Sequence, residues 1–302
     1  NKTFEIYLTI IKDKNPDLYS KYIVHPAFNS DISGTANQLG SWSNRLTGIW
    51  VAKFEASRAD ATYLEEGISE NIKVIPSVRS IDNITVSTAY NYSKNINSAM
   101  NSHLMKNSEW GAVTYLAYSP YGRNGQEIKS NLSSDMITGG GSSNTESNYA
   151  VPTKDKFESD YGYKTTLGFE SSTTKNIYGV YDLVGGAEEY VAAYINNGKL
   201  DSNYTASLKN ASTAYSQIYT PGTTESSLNN YLNNSGIYGD AIYETSISET
   251  TAFEVDSINY PTGENGVFVR GGSYSKNPGM FTVNSSNGSA TEKISFRPVL
   301  AQ

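Results

Sequence analysis

The C-terminal segment of the chain constrains its fold more strongly than any other stretch. It contains two short motifs, Val269–Tyr274 and Ile294–Leu300, and each combines apolar residues with one arginine. The glycines that follow Arg270 supply backbone freedom that a side chain would not tolerate. The stretch between the motifs is mostly polar, and its main apolar residues are Met280, Phe281 and Val283. This pattern predicts either a sheet that frames a polar surface or a long hairpin with a solvated tip.

The composition indicates a globular protein whose polarity comes mainly from uncharged residues. Hydrophobic residues make up 37% of the 302-residue chain and charged residues 18%, which is enough apolar material for a full core. The net charge of −7, with no visible cluster of Lys and Arg, argues against nucleic acid as a partner. The absence of cysteine excludes disulfides and thiolate metal sites. No apolar run approaches the roughly 20 residues that a membrane-spanning helix needs.

Strands are predicted in the first third of the chain. Residues 46–55 have the strongest strand pattern, and nearly every position is bulky or apolar, so we expect a central strand with Trp50 in the core. A second strand is predicted for 72–79, where Pro76 interrupts it. A short strand that ends at a proline is predicted within 22–28.

Two consecutive helices are predicted after these strands. Apolar residues recur at helical spacing over 87–104, and Ser87 or Thr88 is a candidate N-cap. The pattern continues over 105–118 and ends before a proline, which cannot extend a helix. We expect Trp110 to be a core residue of the second helix.

The distribution of polar stretches suggests the domain organisation. Residues 1–20 are expected to form an N-terminal strand and a connector to an upstream part of a longer product. Residues 21–302 are expected to form one domain, with large polar insertions near 121–170 and 195–250. Trp42 is expected to be exposed in a polar loop.

A turn rich in carboxylates lies in the middle of the chain. A short apolar stretch leads to Asp182, two glycines follow, and the chain then reaches Glu189. The backbone carbonyls of Gly185 and Ala187 could face the same point as these two acids. Ca²⁺ is bound by oxygen sets of this mixed kind. The spacing alone favours the alternative, a strand and turn with solvated acids.

Two segments of the chain resemble the signatures of a known family. Residues 177–190 resemble the motif N-x-Y-G-L-Y-D-M-x-G-N-x-W-E-W, and Arg270–Tyr274 with Phe296-Arg297 resembles R-G-G-S-W followed by G-F-R. These motifs belong to the formylglycine-generating-enzyme branch of the C-type lectin fold. That branch includes the variable proteins of diversity-generating retroelements, which occur in phage receptor binders and bacterial surface adhesins. The resemblance implies an α+β, C-type-lectin-like domain.

Five motifs extend this resemblance over most of the chain. V-H-P-A-F, G-I-W-V-x-K-F-E, M-K-N-S-E-W-G-A-V-x-Y-L, N-I-Y-G-x-Y-D and R-G-G-S-Y with S-F-R-P-V-L occur here in the order found in a group of low-GC bacterial and phage proteins. The region runs from His25 to Leu300. The order of the five motifs is far more specific than any one of them.

The resemblance also has limits that bear on catalysis. The family's enzymes use two cysteines that bind copper, and related sulfoxide synthases use three histidines that bind iron. This chain has no cysteine and only His25 and His103, so neither copper nor iron chemistry of these kinds is expected. The family's tryptophans in W-E-W are replaced by Glu188 and Tyr190. The family's calcium ligands map to the four oxygen donors Asp182, Gly185, Ala187 and Glu189, so structural Ca²⁺ is implied.

The resemblance implies a non-enzymatic protein that recognises a ligand. In the diversified relatives, the residues between the two closing motifs form the binding face. The positions carried over to this chain are Tyr274, Lys276, Asn277, Met280, Thr282, Asn284, Ser286, Asn287 and Glu292. Thr282 and Asn284 alternate with apolar neighbours, which predicts that they face outward. The alternative is ordinary exposed strand and loop.

The expected partner is a host or target cell-surface protein or glycan. The expected location is extracellular, on a virion tail or a bacterial surface, with no direct membrane span in this chain. Self-association into a homo-oligomer is compatible with the same pattern. Two alternatives remain: a structural subunit of a surface filament or pilus, and an altered enzyme, which the residue inventory disfavours.

Overall fold

The computed structural model describes residues 14, 25–28, 42–44, 46–62, 65–130, 162–219, 239–242, 256–272 and 279–302. Lys14 is helical. The rest of the predicted N-terminal strand and connector, residues 1–20, lies outside the described residues. No helix among the described residues is both long and apolar enough to cross a membrane.

The described part of the chain combines helices and strands, so it is a mixed α and β protein. Besides Lys14, it contains three α-helices, which are α1 (Val86–Asn95), α2 (Asn107–Tyr118) and α3 (Ser202–Lys209). Its ten strands are β1 (Ile49–Val51), β2 (Ser57–Arg58), β3 (Ile72–Lys73), β4 (His103–Leu104), β5 (Glu188–Ile195), β6 (Gln217–Tyr219), β7 (Val267–Arg270), β8 (Val283–Ser286), β9 (Ile294–Phe296) and β10 (Pro298–Ala301). Short 3₁₀ helices occupy Pro26–Phe28, Ser98–Met100 and Gly168–Ser171.

The largest sheet is built around β5, which is buried along its whole length. β7 runs antiparallel to β5 and places Arg270 opposite Glu189. β9 runs parallel to β5 on its other side and places Ser295 opposite the same glutamate. β6 pairs in parallel with the C-terminal half of β5, and β8 pairs antiparallel with β7. Both closing motifs of the sequence therefore flank the first residues of β5.

A three-stranded antiparallel sheet, in the order β1-β10-β4, is joined directly to this larger sheet. β9 belongs to the large sheet, β10 belongs to the small one, and only Arg297 separates them. The backbone of this corner is bonded on both sides, since Met105 N–H donates to the Arg297 carbonyl and Ala56 N–H donates to the Phe296 carbonyl. A separate two-stranded sheet pairs β2 with β3.

Helices cover the large sheet on both faces. Trp110 of α2 packs in one buried cluster with Phe268 and Phe281. Tyr90 of α1 packs on the opposite face, in a cluster that contains Tyr190. Neighbouring residues of β5 and β7 point alternately into the two clusters, as side chains on a strand must. Burial on both faces makes this sheet the centre of the described structure.

The two predicted helices are present, but a strand separates them. The N-cap of α1 is Thr85 rather than Ser87 or Thr88, because its Oγ1 accepts the N–H of Thr88 at 3.2 Å. The first helix ends well before residue 104, because a 3₁₀ turn and Asn101, at a left-handed φ of 48°, lead into β4. The second helix ends where predicted, and Trp110 is fully buried.

The predicted central strand over 46–55 is wrong. Only Ile49–Val51 form a strand, and it lies at the edge of the small sheet because β10 is the middle strand. Ile49 and Val51 pack toward the core, so alternation turns Trp50 outward and leaves it 65% exposed. A bulky residue at every position does not distinguish an edge strand with an exposed aromatic from a strand buried on both faces.

Three smaller expectations also differ from the structure. The strand predicted over 72–79 covers only Ile72–Lys73. The described end of the segment 22–28 is a 3₁₀ helix at Pro26–Phe28 rather than a strand. Trp42 is buried, because its ring packs against His103 and its Nε1–H donates to the Ala27 carbonyl at 3.2 Å. The polar residues around Trp42 in the sequence therefore gave no indication that it is a core residue.

Candidate functional site

Arg297 lies fully buried at the corner between the two sheets and forms a forked ion pair with Glu189. Its Nη2 lies 2.6 Å from Glu189 Oε1 and its Nε lies 3.1 Å from Oε2. Its remaining donors reach the carbonyls of Ala52 and Tyr181, at 2.8 and 2.9 Å. Burial alone would lower the pKa of Arg297, but the Glu189 carboxylate raises it overall. One side chain therefore ties together four segments of the chain.

Arg270 lies fully buried on the other side of β5 and bonds chiefly to carbonyl oxygens. Its Nε donates to Asn107 Oδ1 at 2.7 Å, at the start of α2. Its Nη2 donates to the backbone carbonyls of Asp240 and Ala241, at 3.0 and 3.2 Å. Its Nη1 donates to the carbonyl of Phe281 at 3.2 Å, just before β8. The arginine thus connects the start of α2, the chain at 240–241 and the turn just before β8.

Glu189, Arg270 and Arg297 together form what we call the arginine frame. Glu189 lies opposite Arg270 in the pairing of β5 with β7. Its carboxylate also accepts hydrogen bonds from Nε and Nη2 of Arg297. The two closing arginines therefore lie on either side of the same residue of β5. The two alternatives drawn from the pattern are both partly realised, because β7 and β9 frame β5 while β7 and β8 also form an antiparallel pair.

Met280 and Thr282 are fully buried, so their placement on the binding face and the outward orientation predicted for Thr282 are wrong. The segment at 279–282 is a turn that packs inward rather than an alternating strand. The Thr282 N–H donates to the Gly279 carbonyl at 3.1 Å, and the Thr282 hydroxyl accepts the Gly279 N–H at 2.9 Å. The Met280 carbonyl accepts Trp110 Nε1–H at 2.9 Å. The strand β8 begins only at Val283, which is buried, and the three residues after it are half-buried.

The predicted binding residues of β8 and the following turn form a half-exposed strip, which we call the polar strip. It consists of the predicted residues Asn284, Ser286 and Asn287 together with Ser285, which lies between them. Asn284 Nδ2 donates to Glu188 Oε1 at 2.9 Å, and Asn284 Oδ1 accepts Asn259 Nδ2 at 2.9 Å. The Ser286 hydroxyl lies 3.3 Å from the Tyr190 hydroxyl. These internal bonds orient the strip, so Asn284 acts as a positioning residue as well as a surface residue.

Two residues at the polar strip were not identified from the sequence. Asn259 bridges Asn284 Oδ1 and Ser285 Oγ, at 2.9 and 3.1 Å. Glu188 accepts from Asn284, and burial raises its pKa. No sequence signal identifies Asn259, because it comes from a separate segment of the chain. Glu188 replaces a tryptophan of the family motif, and this departure is the sequence signal that could have identified it.

The other predicted binding residues fall into two groups. Glu292 is exposed in the turn before β9, close in sequence to the arginine frame. Tyr274, Lys276 and Asn277 lie outside the described residues. The described residues on either side of them, Gly272 and Gly279, are both buried next to the frame.

The carboxylate turn is folded around charged groups of the protein itself. Asp182 is buried at a positive φ of 61°, and Ala187 N–H donates to Glu55 Oε1 at 3.0 Å. Burial, together with the carboxylates of Glu189 and Asp182, raises the pKa of Glu55 well above its ordinary value. Arg297 supplies the positive charge that faces this group.

Arg297 donates to both carboxylate oxygens of Glu189, so this predicted calcium ligand forms an ion pair within the protein. Within the described ranges, no group of three or more His, Cys, Asp or Glu residues is arranged to hold a metal ion. Calcium binding through Asp182, Gly185, Ala187 and Glu189 stays a prediction.

Comparison with known proteins adds no family assignment. No protein-family model matches the chain, and no curated protein matches it either.

Proposed function

We propose that this chain is a non-enzymatic ligand-recognition module with a C-type-lectin-like fold. Five motifs in family order support the fold, and so does the mixed α and β architecture of the described residues. One observation carries the functional proposal. Arg270 and Arg297 are both buried around Glu189, so the segment between them leaves and rejoins one rigid sheet. Loops anchored on a rigid scaffold are common sites of recognition.

The proposed binding face combines the polar strip with the segment that precedes it. Its contact residues are Tyr274, Lys276, Asn277, Ser286, Asn287 and Glu292, with Asn284 as a positioning residue. Met280 and Thr282 are left out because they are buried. Tyr, Ser and Asn provide rigid aromatic contact together with adaptable hydrogen bonding, as in antibody binding loops.

The proposed partner is a protein or glycan on the surface of a host or target cell. The chain would then be displayed outside the cell, on a phage tail or a bacterial surface. A role as structural subunit of a surface filament is the second candidate, and assembly of the purified chain into filaments would favour it. An altered enzyme is the least supported reading, because the chain lacks the cysteines and the third histidine of the related enzymes.

The proposal is tested with the labelled chain on a panel of intact bacterial cells and on an array of immobilised glycans. We expect saturable binding by the wild type to at least one target. The double variant Tyr274→Ala/Glu292→Ala should bind about tenfold more weakly or worse, since aromatic residues dominate interface energies. Its melting temperature should stay close to that of the wild type, because Glu292 is exposed.

The matched control is Tyr178→Ala, which also removes a tyrosine. Tyr178 is 88% exposed and lies outside the proposed face. This variant should bind like the wild type. Equal binding by the double variant and the wild type would refute the face.

A further inference from the structure

A groove with a cavity volume of about 800 Å³ lies on the small sheet, away from the polar strip. Its walls are formed by β1, by helix α2 and by Thr173, Thr174 and Val180. Three large residues at its rim are strongly exposed: Trp50 at 65%, Leu116 at 60% and Tyr121 at 88%. Exposed apolar residues that cluster in this way mark an interaction surface, whereas single exposed residues do not. We call this feature the edge groove.

The described lining of the edge groove carries no Asp, Glu, Lys or Arg side chain. His25 lies at one end, where its Nε2–H donates to the Gly239 carbonyl at 2.7 Å and its Nδ1 accepts the Ala27 N–H at 3.2 Å. Burial lowers the pKa of His25 to about 4, so its ring is neutral at neutral pH. A protein with a net charge of −7 thus offers an uncharged concave surface here. The complementary occupant is itself uncharged and apolar.

The backbone of β1 adds a hydrogen-bonding edge to this surface. Ala52 N–H donates to the Pro298 carbonyl at 3.1 Å, and the register alternates from there, so Trp50 bonds to β10. The N–H and C=O groups of Ile49 and Val51 then point away from β10, toward the groove. Among the described residues, β1 pairs only with β10.

Just beyond β1 in the sequence, the same outward edge already forms a backbone hydrogen bond within the protein. Tyr181 N–H donates to the Lys53 carbonyl at 2.8 Å, which occupies the outward edge just beyond β1. The edge at Ile49 and Val51 continues this line into the groove, next to Val180. An incoming strand would extend a pairing that the protein itself has begun.

We propose that the edge groove binds an extended, uncharged apolar segment of a partner protein, which adds a strand to the outward edge of β1. Backbone bonds to Ile49 and Val51 would hold the segment, and alternate side chains would enter the groove beside Leu116 and Trp50. A concave groove suits a narrow extended segment better than the broad flat contact of two whole domains. This surface is separate from the polar strip, so the protein would have two recognition sites.

The probe is a capped octapeptide of alternating Val and Thr. Trp42 and Trp110 are buried, so a blue shift of fluorescence on titration reports chiefly on Trp50. We expect saturable binding, and Leu116→Glu should weaken it about tenfold or more, because the variant places a charge in the apolar groove. The control Ile68→Glu alters a residue that is 90% exposed elsewhere, and it should leave the affinity unchanged.

A second arm requires only the wild-type protein. The same octapeptide with N-methylated backbone amides should bind about tenfold more weakly, because it cannot pair with the strand edge. Absence of binding, equal loss in Leu116→Glu and Ile68→Glu, or equal affinity for the N-methylated peptide would overturn the proposal. So would a wild-type dimer that Leu116→Glu converts to a monomer in sedimentation, since the occupant would then be a second copy of the chain.

Discussion

The two buried arginines solve different problems with the same side chain. Arg297 neutralises a buried carboxylate, and its forked contact with Glu189 is its closest polar interaction. Arg270 is held by the carbonyl oxygens of Asn107, Phe281 and the chain near residue 240. The first therefore balances charge at the corner of the two sheets, whereas the second gathers backbone from distant segments. Replacing each arginine should therefore lower the free energy of unfolding by a different amount. The way in which the lost stability can be recovered should differ as well.

The largest effect is expected at the charge-balancing site. Arg297→Met should lower the free energy of unfolding by about 3–5 kcal/mol, because Glu189 is left as an unpaired buried charge beside Asp182. The measurement is urea denaturation at neutral pH. The double variant Arg297→Met/Glu189→Leu should recover a large part of the loss, since it removes the stranded charge. A double variant as unstable as the single one would break the comparison.

A smaller loss is expected at the backbone-gathering site. Arg270→Met should cost about 2–3 kcal/mol in the same denaturation experiment, because the carbonyl oxygens that Arg270 bonds to among the described residues are left buried without that donor. The segment that returns to β8 should also lose protection against hydrogen exchange, starting at Phe281. If Arg270→Met lowered the free energy of unfolding as much as Arg297→Met and left hydrogen exchange near Phe281 unchanged, the proposed difference between the two arginines would be contradicted.

The excess of carboxylates at the Arg297 site predicts a dependence on pH. Burial and the carboxylates of Glu189 and Asp182 raise the pKa of Glu55, so the folded protein favours its neutral form. As the pH rises above the ordinary pKa of a glutamate, about 4, Glu55 loses its proton more readily in the unfolded state than in the folded state. The free energy of unfolding therefore falls. Glu55→Gln should therefore make the protein more stable than the wild type at alkaline pH, with a gain that shrinks toward acidic pH. A gain that stays constant with pH would contradict this assignment.

The smallest effect is expected from a chelator. Arg297 already supplies positive charge to the carboxylate turn, so EDTA should leave the melting temperature within about 1 °C of its starting value. If Asp182, Gly185 and Ala187 do bind Ca²⁺, EDTA will lower the melting temperature and Asp182→Ala will abolish that sensitivity. This experiment also separates a charge-balanced turn from a metal-bound one.

Local patterns in the sequence predicted the elements whose environment is set by neighbours along the chain. The end of α2 before Pro120 and the burial of Trp110 on that helix belong to this group. Proline acts on the helix within a few residues, so it leaves a readable signal in the sequence.

The failures share one cause, which is contact between distant segments. Trp50 is exposed because β10, some 250 residues later in the sequence, takes the middle of the small sheet. Thr282 is buried because the turn at 279–282 packs under Trp110, and the period of the sequence does not record that turn. Asn259 reaches the polar strip only through tertiary folding. None of these contacts leaves a mark in local periodicity.

The central claim is that an invariant arginine frame supports a variable recognition face, and sequencing this gene across many isolates tests it most directly. The account predicts that substitutions concentrate at positions 274–292 and avoid the buried Met280 and Thr282. Glu189, Arg270 and Arg297 should not vary. Substitutions spread evenly over the surface, or substitutions within the frame, would contradict the account.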